Sequence, residues 1–384
     1  MTGIDTSSRV RTRPTFVDVY LDPILYVLAA FTLVMAFRNI ATPLTDQHPD
    51  FVIFWDNLQW YAGGHDLYTA PPHWEEQGPN LAAPALLFLL APLLPLPLEL
   101  ARAVWMAISI GLFALCSWWV ARTFNVPTGR VFSLLVLSRA THLALIGGTF
   151  AAPLAAWMTR AWLDHRQGRD ATAGVWIGIA IACKLLLLPC VGYAVLRRRW
   201  RMVSGIVCGM AATVAVGVAV GGIENTALWI RTLRGLERGT IDYPINASLM
   251  AWLARTPAEW TTVQAWWLCG SLLIGMGLLW RWLHRDDDAA WSATISGSLL
   301  ASPLGWVYYT PLLVGPFVGA RSALLWAGYA LCALPLELVV PRAVVASTLL
   351  KLTVGSAYFF GVLLLFVGSV IPKHDAIRHG EARR

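Results

Sequence analysis

Asp50 stands where a polar segment gives way to an aromatic run, in HPDFVIFW. A carboxylate placed between water and apolar surface holds its proton more tightly than usual. That suits a general base, which takes a proton from a hydroxyl in the transition state. A solvated loop aspartate or a helix N-cap reads the same way. Lys184 interrupts an otherwise apolar stretch, IGIAIACKLLLLPC. An ionisable residue inside a membrane span is costly and marks a functional site by default. This one could hold an anionic phosphate, unless it snorkels or pairs with a carboxylate. Arg231, Arg234 and Arg238 recur at i, i+3 and i+7, one face of a helix, with Trp229, Ile230 and Leu233 as apolar contact. Such an interfacial helix could attract a lipid phosphate, or anionic lipid in general. Arg139 and His142, in LSRATHLALIGG, read either as a second anion site or as a buried ionic pair. Trp306, Tyr308 and Tyr309, in SPLGWVYYTP, offer rings and hydroxyls suited to sugar faces, or belong to an interfacial aromatic belt.

The elements that must position these residues are membrane helices. Of 384 residues, 57% are hydrophobic and 13% charged, and the mean hydropathy is +0.59. A soluble chain carries about 25% charged residues. At roughly 20 residues per crossing, the length allows about ten to twelve spans and little else. The net charge of +7 reflects arginines in short turns, a positive-inside pattern, and does not call for nucleic acid. The six cysteines form no CxxC pair, so neither a metal site nor a disulfide framework is indicated. An apolar run from Ile24 to Phe37 follows Arg9, Arg11 and Arg13 without a cleavage motif, and reads as a retained first helix.

The expected fold is an all-α polytopic membrane bundle of about 12 helices, a single domain over 1–384 with both termini cytoplasmic. Arginine groups at 9–13, 122–130, 160–169, 197–201, 281–288, 321 and the tail from Lys373 are assigned to one side. Expected helices are 19–38, 101–121, 131–147, 149–163, 202–221, 261–283, 290–306, 308–320, 322–340 and 343–371. The stretch 171–196 reads as a hairpin of two short helices meeting near Lys184 and Pro189, or as one tilted span. A large outer loop, 39–80, carries Asp46, Asp50, Asp56, Asp66, Glu75 and Glu76, more polar chain than a turn needs. The proline-rich segment 81–98 closes it as a re-entrant or interfacial piece, so that loop and segment fill 39–100. A second outer loop covers 222–260. The sequence contains no GxGxxG fingerprint with a soluble βαβ unit, no Walker A, no HExxH and no GxSxG motif. With no room for a nucleotide-sugar domain, an enzyme of this kind must take its activated group from a lipid carrier. A transporter or flippase of a lipid-linked sugar, or a non-catalytic membrane assembly protein, are the alternatives. The absence of an internal repeat counts against the transporter.

Several short elements recur in a definite order: Asp50-Phe51, an aromatic helix with Phe54, Trp55 and Tyr61, then Gly64 to Tyr68 as Gly-x-x-x-Tyr. NLAAPALLFLLAPLLPLP follows, then Ala173, Gly174, Gly178, Ala180 and Lys184 as AGxxxGxAxxxK, and the basic turn LRRRWR. Asn246-Ala247-Ser248-Leu249 and Ser302, Pro303 and Trp306 complete the set. Together they resemble glycosyltransferase family 87 of the GT-C superfamily, over residues 48–315. Two elements depart from that pattern. Gly147-Gly148-Thr149-Phe150 stands for Gly-Gln-x-Asn, and Ala82-Ala83-Pro84 for Tyr-Pro-Pro.

The resemblance implies a polyprenyl-phosphate sugar donor, mannose by family, used on the outer face of the cytoplasmic membrane. The acceptor would be a lipid-linked or glycan hydroxyl. Asp50 would be the general base of a single inverting displacement. Lys184, Arg231, Arg234, Arg238 and Arg139 would meet the phosphate. Trp55, Tyr61, His65, Asn246, Trp306, Tyr308 and Tyr309 would meet the substrates, with Asp56 a lesser polar partner. No cofactor is expected; the mechanism needs no metal in principle, and a divalent ion stays open.

Overall fold

A computed structural model of the chain describes residues 21–41, 50–69, 80–284, 286–319, 322–335 and 347–371. The loop acids Asp46, Glu75 and Glu76, the N-terminal arginines, Arg321 and the tail from Lys373 lie outside these residues. Helix α1 is Asp22–Ala41 and α2 Asp50–Ala62. After a short turn, α3 at Pro84–Leu87, come α4 Leu98–Phe124, α5 Thr128–Leu137, α6 Arg139–Gly147 and α7 Ala151–Arg166. Next are α8 Asp170–Cys183, α9 Pro189–Leu196 and α10 Trp200–Arg234. The short α11, Arg238–Ile241, and α12, Leu249–Ala254, precede α13 Trp260–Leu283 and α14 Asp287–Ala301. A 3₁₀ segment, Val307–Leu313, leads to α15 Val314–Val318, α16 Ala323–Ala333, α17 Thr348–Leu352 and α18 Ala357–Val370. The described residues contain no strand, only a bridge between Asn246 and Trp306.

Among the described residues, α4, α10, α13 and the run Thr348–Val370 are long and apolar enough to cross a membrane. The pair α5 and α6 makes a fifth candidate if taken as one broken span. Other expected crossings are shorter or interrupted. The span expected at 131–147 bends by 73° between α5 and α6, where Ser138 adopts an extended backbone. Helix α10 runs past the expected boundary at 221. Gly222 sits there at φ 81° and ψ 158°, a conformation open to glycine, and the chain resumes as helix to Arg234.

The stretch 171–196 folds back on itself. Arg199, just before α10, pairs with Asp170, the first residue of α8, at 3.1 Å. The two ends of the excursion therefore meet, as a hairpin requires. At its turn Lys184 leaves the helical conformation, at φ −145° and ψ 100°. Helix α8 has 14 residues, about 21 Å at 1.5 Å per residue, so the turn stops short of a full crossing of about 30 Å.

Helices α8 and α10 run in the same direction, in backbone contact. A Cβ on Gly174 would lie 2.1 Å from the Met202 carbonyl oxygen, and one on Gly178 would lie 2.2 Å from that of Ile206. Gly205 and Gly209 face Ala171 and Val175 just as closely. Lipid supplies no hydrophobic drive between helices, so small residues that allow this approach create the contact.

The open end of the hairpin is tied by charge. Arg199 Nη2 donates to Asp287 Oδ2 at 2.8 Å, and Arg197 also donates to Asp287. Buried His165 lies 3.0 Å from Asp170 Oδ1 and 2.9 Å from the Tyr193 hydroxyl. Arg160 and Arg169 pair with buried Asp164, and Arg166 with Asp288. Three of the arginine groups assigned to one side, 160–169, 197–201 and 281–288, thus meet in one cluster. Beyond it, most buried apolar side chains form one cluster, and a small second one lies among Ile241, α12 and Val263.

Candidate active site

Asp50 is the first residue of α2. The next turns bury Phe51, Phe54 and Trp55; Phe51 lies against Gly148 in the α6–α7 connection, and Phe54 stacks on Phe150 with ring centres 4.7 Å apart. Trp105 Nε1 donates to the Gly148 carbonyl at 3.0 Å and fixes that connection. The apolar face of α2 thereby anchors the carboxylate that begins it.

Asp50 borders a cavity of about 50 Å³. The opposite charge on its wall is Lys184, 134 residues away in sequence. The aromatic wall is Trp306, Tyr308 and Tyr309, and Ile53, Phe54, Phe150, Leu81 and Ala82 close the rest. The Tyr308 hydroxyl donates to Asp50 Oδ2 at 3.2 Å. The Lys184 ammonium lies 5.5 Å from the centre of the Tyr309 ring. Burial pushes the Asp50 carboxyl above its ordinary range, and the Lys184 charge and the Tyr308 hydroxyl pull partly the other way.

A second cavity, about 150 Å³, shares Lys184 and Leu81 with the first and is otherwise mostly apolar. Leu185, Leu186, Trp229, Leu233 and Leu304 line it. Trp229 Nε1 donates to the Leu81 carbonyl at 3.4 Å and holds the end of α10 over this space. Lys184 is the boundary: a small space with a carboxylate and aromatic hydroxyls on one side, a hydrocarbon-like space on the other. A third cavity, about 210 Å³, lies on another face of the 3₁₀ segment, against Thr310, Pro311 and Leu313. It carries none of the expected site residues.

The aromatic wall is positioned by the second polar loop. Asn246, fully buried, donates through Nδ2 to the carbonyls of Ile241 at 3.0 Å and Pro303 at 2.8 Å. Its Oδ1 accepts from the Ser248 amide, and the Ser248 hydroxyl donates to Pro303. Ala247 N donates to Gly305 O at 2.8 Å and Val307 N to Ile245 O at 3.0 Å. Arg255, buried, donates to the Asn246 and Tyr243 carbonyls. The Asn-x-Ser-Leu and Ser-Pro-x-x-Trp elements are thus docked on each other, and Trp306 stacks on Tyr308 with ring centres 6.0 Å apart.

Other expected site residues are placed elsewhere. Trp55 is buried and stacked on Phe51. The Tyr61 hydroxyl donates to the Val220 carbonyl at 2.7 Å. His65 is exposed and stacks on Trp60, with ring centres 3.7 Å apart. Arg139 opens α6, partly buried, and lines none of the three cavities. The single arginine face is corrected. Helix α10 ends at Arg234, Gly235 intervenes, and Arg238 begins α11. Arg238 donates to the carbonyls of Ala254, Thr256 and Ala258. Arg231 and Arg234 are exposed. Arg231 is two residues from both Trp229 and Leu233, hence on the side of the helix away from the apolar cavity.

Two positioning residues were not among the expected site residues. The Tyr68 hydroxyl donates to the Ala82 carbonyl at 2.6 Å, on the cavity wall. Asn225 accepts from the Leu67 amide at 2.7 Å and donates to Gly221 O at 2.8 Å, joining the first polar loop to α10. Tyr68 closes the Gly-x-x-x-Tyr element, which is the signal that could have found it. Phe150 occupies the position where the family pattern has Asn, and presents a ring to the cavity.

A model of glycosyltransferase family 87 matches residues 83–304, more than half of the chain. The chain belongs to that family. The matched region includes Lys184; Trp306, Tyr308 and Tyr309 lie just beyond its end, and Asp50 lies well before its start. Among curated proteins, an alpha-(1->3)-arabinofuranosyltransferase of Mycobacterium tuberculosis, from strains CDC 1551/Oshkosh and ATCC 25618/H37Rv, is 26% identical over 275 residues. The alignment covers 67% of this chain and 62% of the relative, so the chain spans under two thirds of that protein's length.

Proposed function

We propose that the chain is a membrane glycosyltransferase that moves a sugar from a polyprenyl-phosphate donor to a hydroxyl of a lipid-linked or glycan acceptor. The observation that carries this reading is that Asp50 and Lys184 border one cavity, and that Lys184 also borders an apolar cavity beside it. A lipid-phosphate sugar has the same order of parts. The start of its hydrocarbon chain suits the apolar cavity, its phosphate suits Lys184, and its sugar suits the side of Asp50 and the aromatic wall.

Asp50 takes the proton of the acceptor hydroxyl as its oxygen attacks the anomeric carbon. The bond from that carbon to the phosphate oxygen breaks on the opposite side, with inversion. Charge grows on the departing phosphate, where Lys184 stabilises it more in the transition state than in the ground state. Tyr308 orients the carboxylate through its hydrogen bond. Trp306 and Tyr309 offer ring faces to the sugar. In this reading the chain makes about twelve passages into the cytoplasmic membrane, counting broken and short ones, with the site toward the outer face and both termini inside. Mannose, by family resemblance, and arabinofuranose, by the relative's name, are the two sugars to test first.

The test is release of polyprenyl phosphate from a panel of polyprenyl-phosphate sugars by purified protein, with host lipid extract as acceptor. Release by the native chain with one donor, lost in Asp50→Asn, is expected. Equal release by both proteins removes Asp50 from its role, and no release with any donor removes the transferase reading.

A further inference from the structure

We propose that the donor phosphate switches on Asp50: in the empty site Lys184 faces the carboxylate within one cavity, and an arriving phosphate draws Lys184 to itself and leaves Asp50 a stronger proton acceptor. This rests on the donor reading above and adds to it an order of events and a linked proton.

The geometry gives one cation two places to serve. Lys184 borders both cavities, and Asp50 only one of them. Around Asp50, Ile53, Phe54 and Phe150 leave few polar groups to share the charge. In so confined a space each charge sets the proton affinity of the other. Among the described residues, the titratable groups facing Asp50 are Lys184, at the end of α8, and Tyr308 and Tyr309, on the 3₁₀ segment. Cys183 flanks Lys184 on α8. The two tyrosines are neutral hydrogen-bonding groups at neutral pH, so Lys184 is the group whose displacement changes the field at the carboxylate.

The proton count follows the chemistry. During transfer the acceptor oxygen bonds to the anomeric carbon and its proton passes to Asp50. The electron pair of the broken bond goes to the phosphate oxygen. The product site then holds a phosphate with one more negative charge beside Lys184, and a neutral Asp50. When the lipid phosphate leaves, Lys184 returns to Asp50, the carboxyl loses affinity for its proton, and the proton is expelled. An unloaded enzyme therefore holds a weakened base, and the acceptor is activated only after the donor is in place.

The experiment is titration calorimetry of the purified full chain with a prenyl methyl phosphodiester. This probe carries the donor's single negative charge and has no acidic proton of its own. Binding is measured in two buffers of different ionisation enthalpy, between about pH 5 and pH 6.5, where Lys184 keeps its proton throughout. On the acid side of this range the native chain is expected to take up a fraction of a proton per ligand bound and to bind more tightly as the pH falls, and the uptake fades toward the upper end, where Asp50 stays ionised and free to act as base. Asp50→Asn, checked for an unchanged melting temperature, is expected to bind about tenfold tighter, with no uptake. Binding by the native chain with no linked proton and a flat pH dependence overturns the exchange and leaves the donor reading intact. Uptake and affinity unchanged in Asp50→Asn overturn it equally. Absence of binding to the native chain removes the donor reading and the exchange together.

Discussion

Gly178 on α8 and Ile206 on α10 are in backbone contact, close enough that a Cβ on Gly178 would stand 2.2 Å from the Ile206 carbonyl oxygen. The neighbouring atom is backbone and cannot swing away, so the two helices must part. Gly178→Ala is expected to cost about 1–3 kcal/mol. Its melting temperature in detergent should fall measurably below that of the native protein. Because Lys184 directly follows the end of that helix, donor KM should rise as well. An unchanged melting temperature would show that the contact is looser than described.

Asp50→Asn keeps the shape of the site and removes the proposed proton acceptor. A loss of about 10²–10⁴ in kcat is expected, the ordinary worth of a general base. Tyr308→Phe removes one hydrogen bond to the carboxylate and should cost about tenfold in kcat/KM. Release of lipid phosphate under saturating acceptor reads both. An Asp50→Asn variant that retains full kcat would end the base assignment.

Lys184→Met should abolish saturable donor binding, whereas Lys184→Arg should keep part of it, since the charge remains while its geometry changes. Exposed Arg231→Ala should change donor KM by no more than about threefold, the scale of a screened surface charge. A donor KM that responds to Arg231 and not to Lys184 would move the phosphate to the arginine helix.

The pH dependence has a definite sign. As the proposed base, Asp50 would act only when ionised, and burial holds its proton above the ordinary carboxylate range. Activity should therefore fall on the acid side at a higher pH than an exposed aspartate would dictate. The Tyr308 hydroxyl opposes that shift. In Tyr308→Phe the acid limb of kcat/KM should move further toward neutral pH. A limb that moves the other way would mean that another group titrates.

Arg238 is expected to behave as a structural residue. Its guanidinium satisfies the carbonyls at the end of α12, so Arg238→Ala leaves them unpaired at a cost of about 1–3 kcal/mol. Thermal unfolding should register the loss in Arg238→Ala and register none in Arg231→Ala. Equal melting temperatures would contradict that contrast.

What could be read from the sequence was what breaks an apolar background. Lys184 stood out because a lone charge in such a background is costly, and Asp50 because it stands where a polar loop gives way to an aromatic run; the structure places them on one cavity. The return of 171–196 was legible because arginines flank it on both sides, and Asp170 and Arg199 do meet. The cavity walls were not legible. Leu81, Ile53 and Phe150 are ordinary apolar residues whose position depends on packing between distant segments. The arginine face misled because helical spacing was carried across Gly235, where the helix ends. The break at Ser138 was hidden for a similar reason: no proline or glycine marks it, and only the extended backbone of one serine turns the chain by 73°.

The clasp at the open end of the hairpin also sets a timetable for biosynthesis. Arg197 and Arg199 find Asp287 only 90 and 88 residues further along the chain. A ribosome feeding this protein into a bilayer thus delivers the Lys184 hairpin well before the carboxylate that locks it. Nascent chains halted ahead of α14 should carry an inserted hairpin closed by the Asp170–Arg199 pair, without the Asp287 clasp, and more open to proteases and quality-control factors than the finished protein.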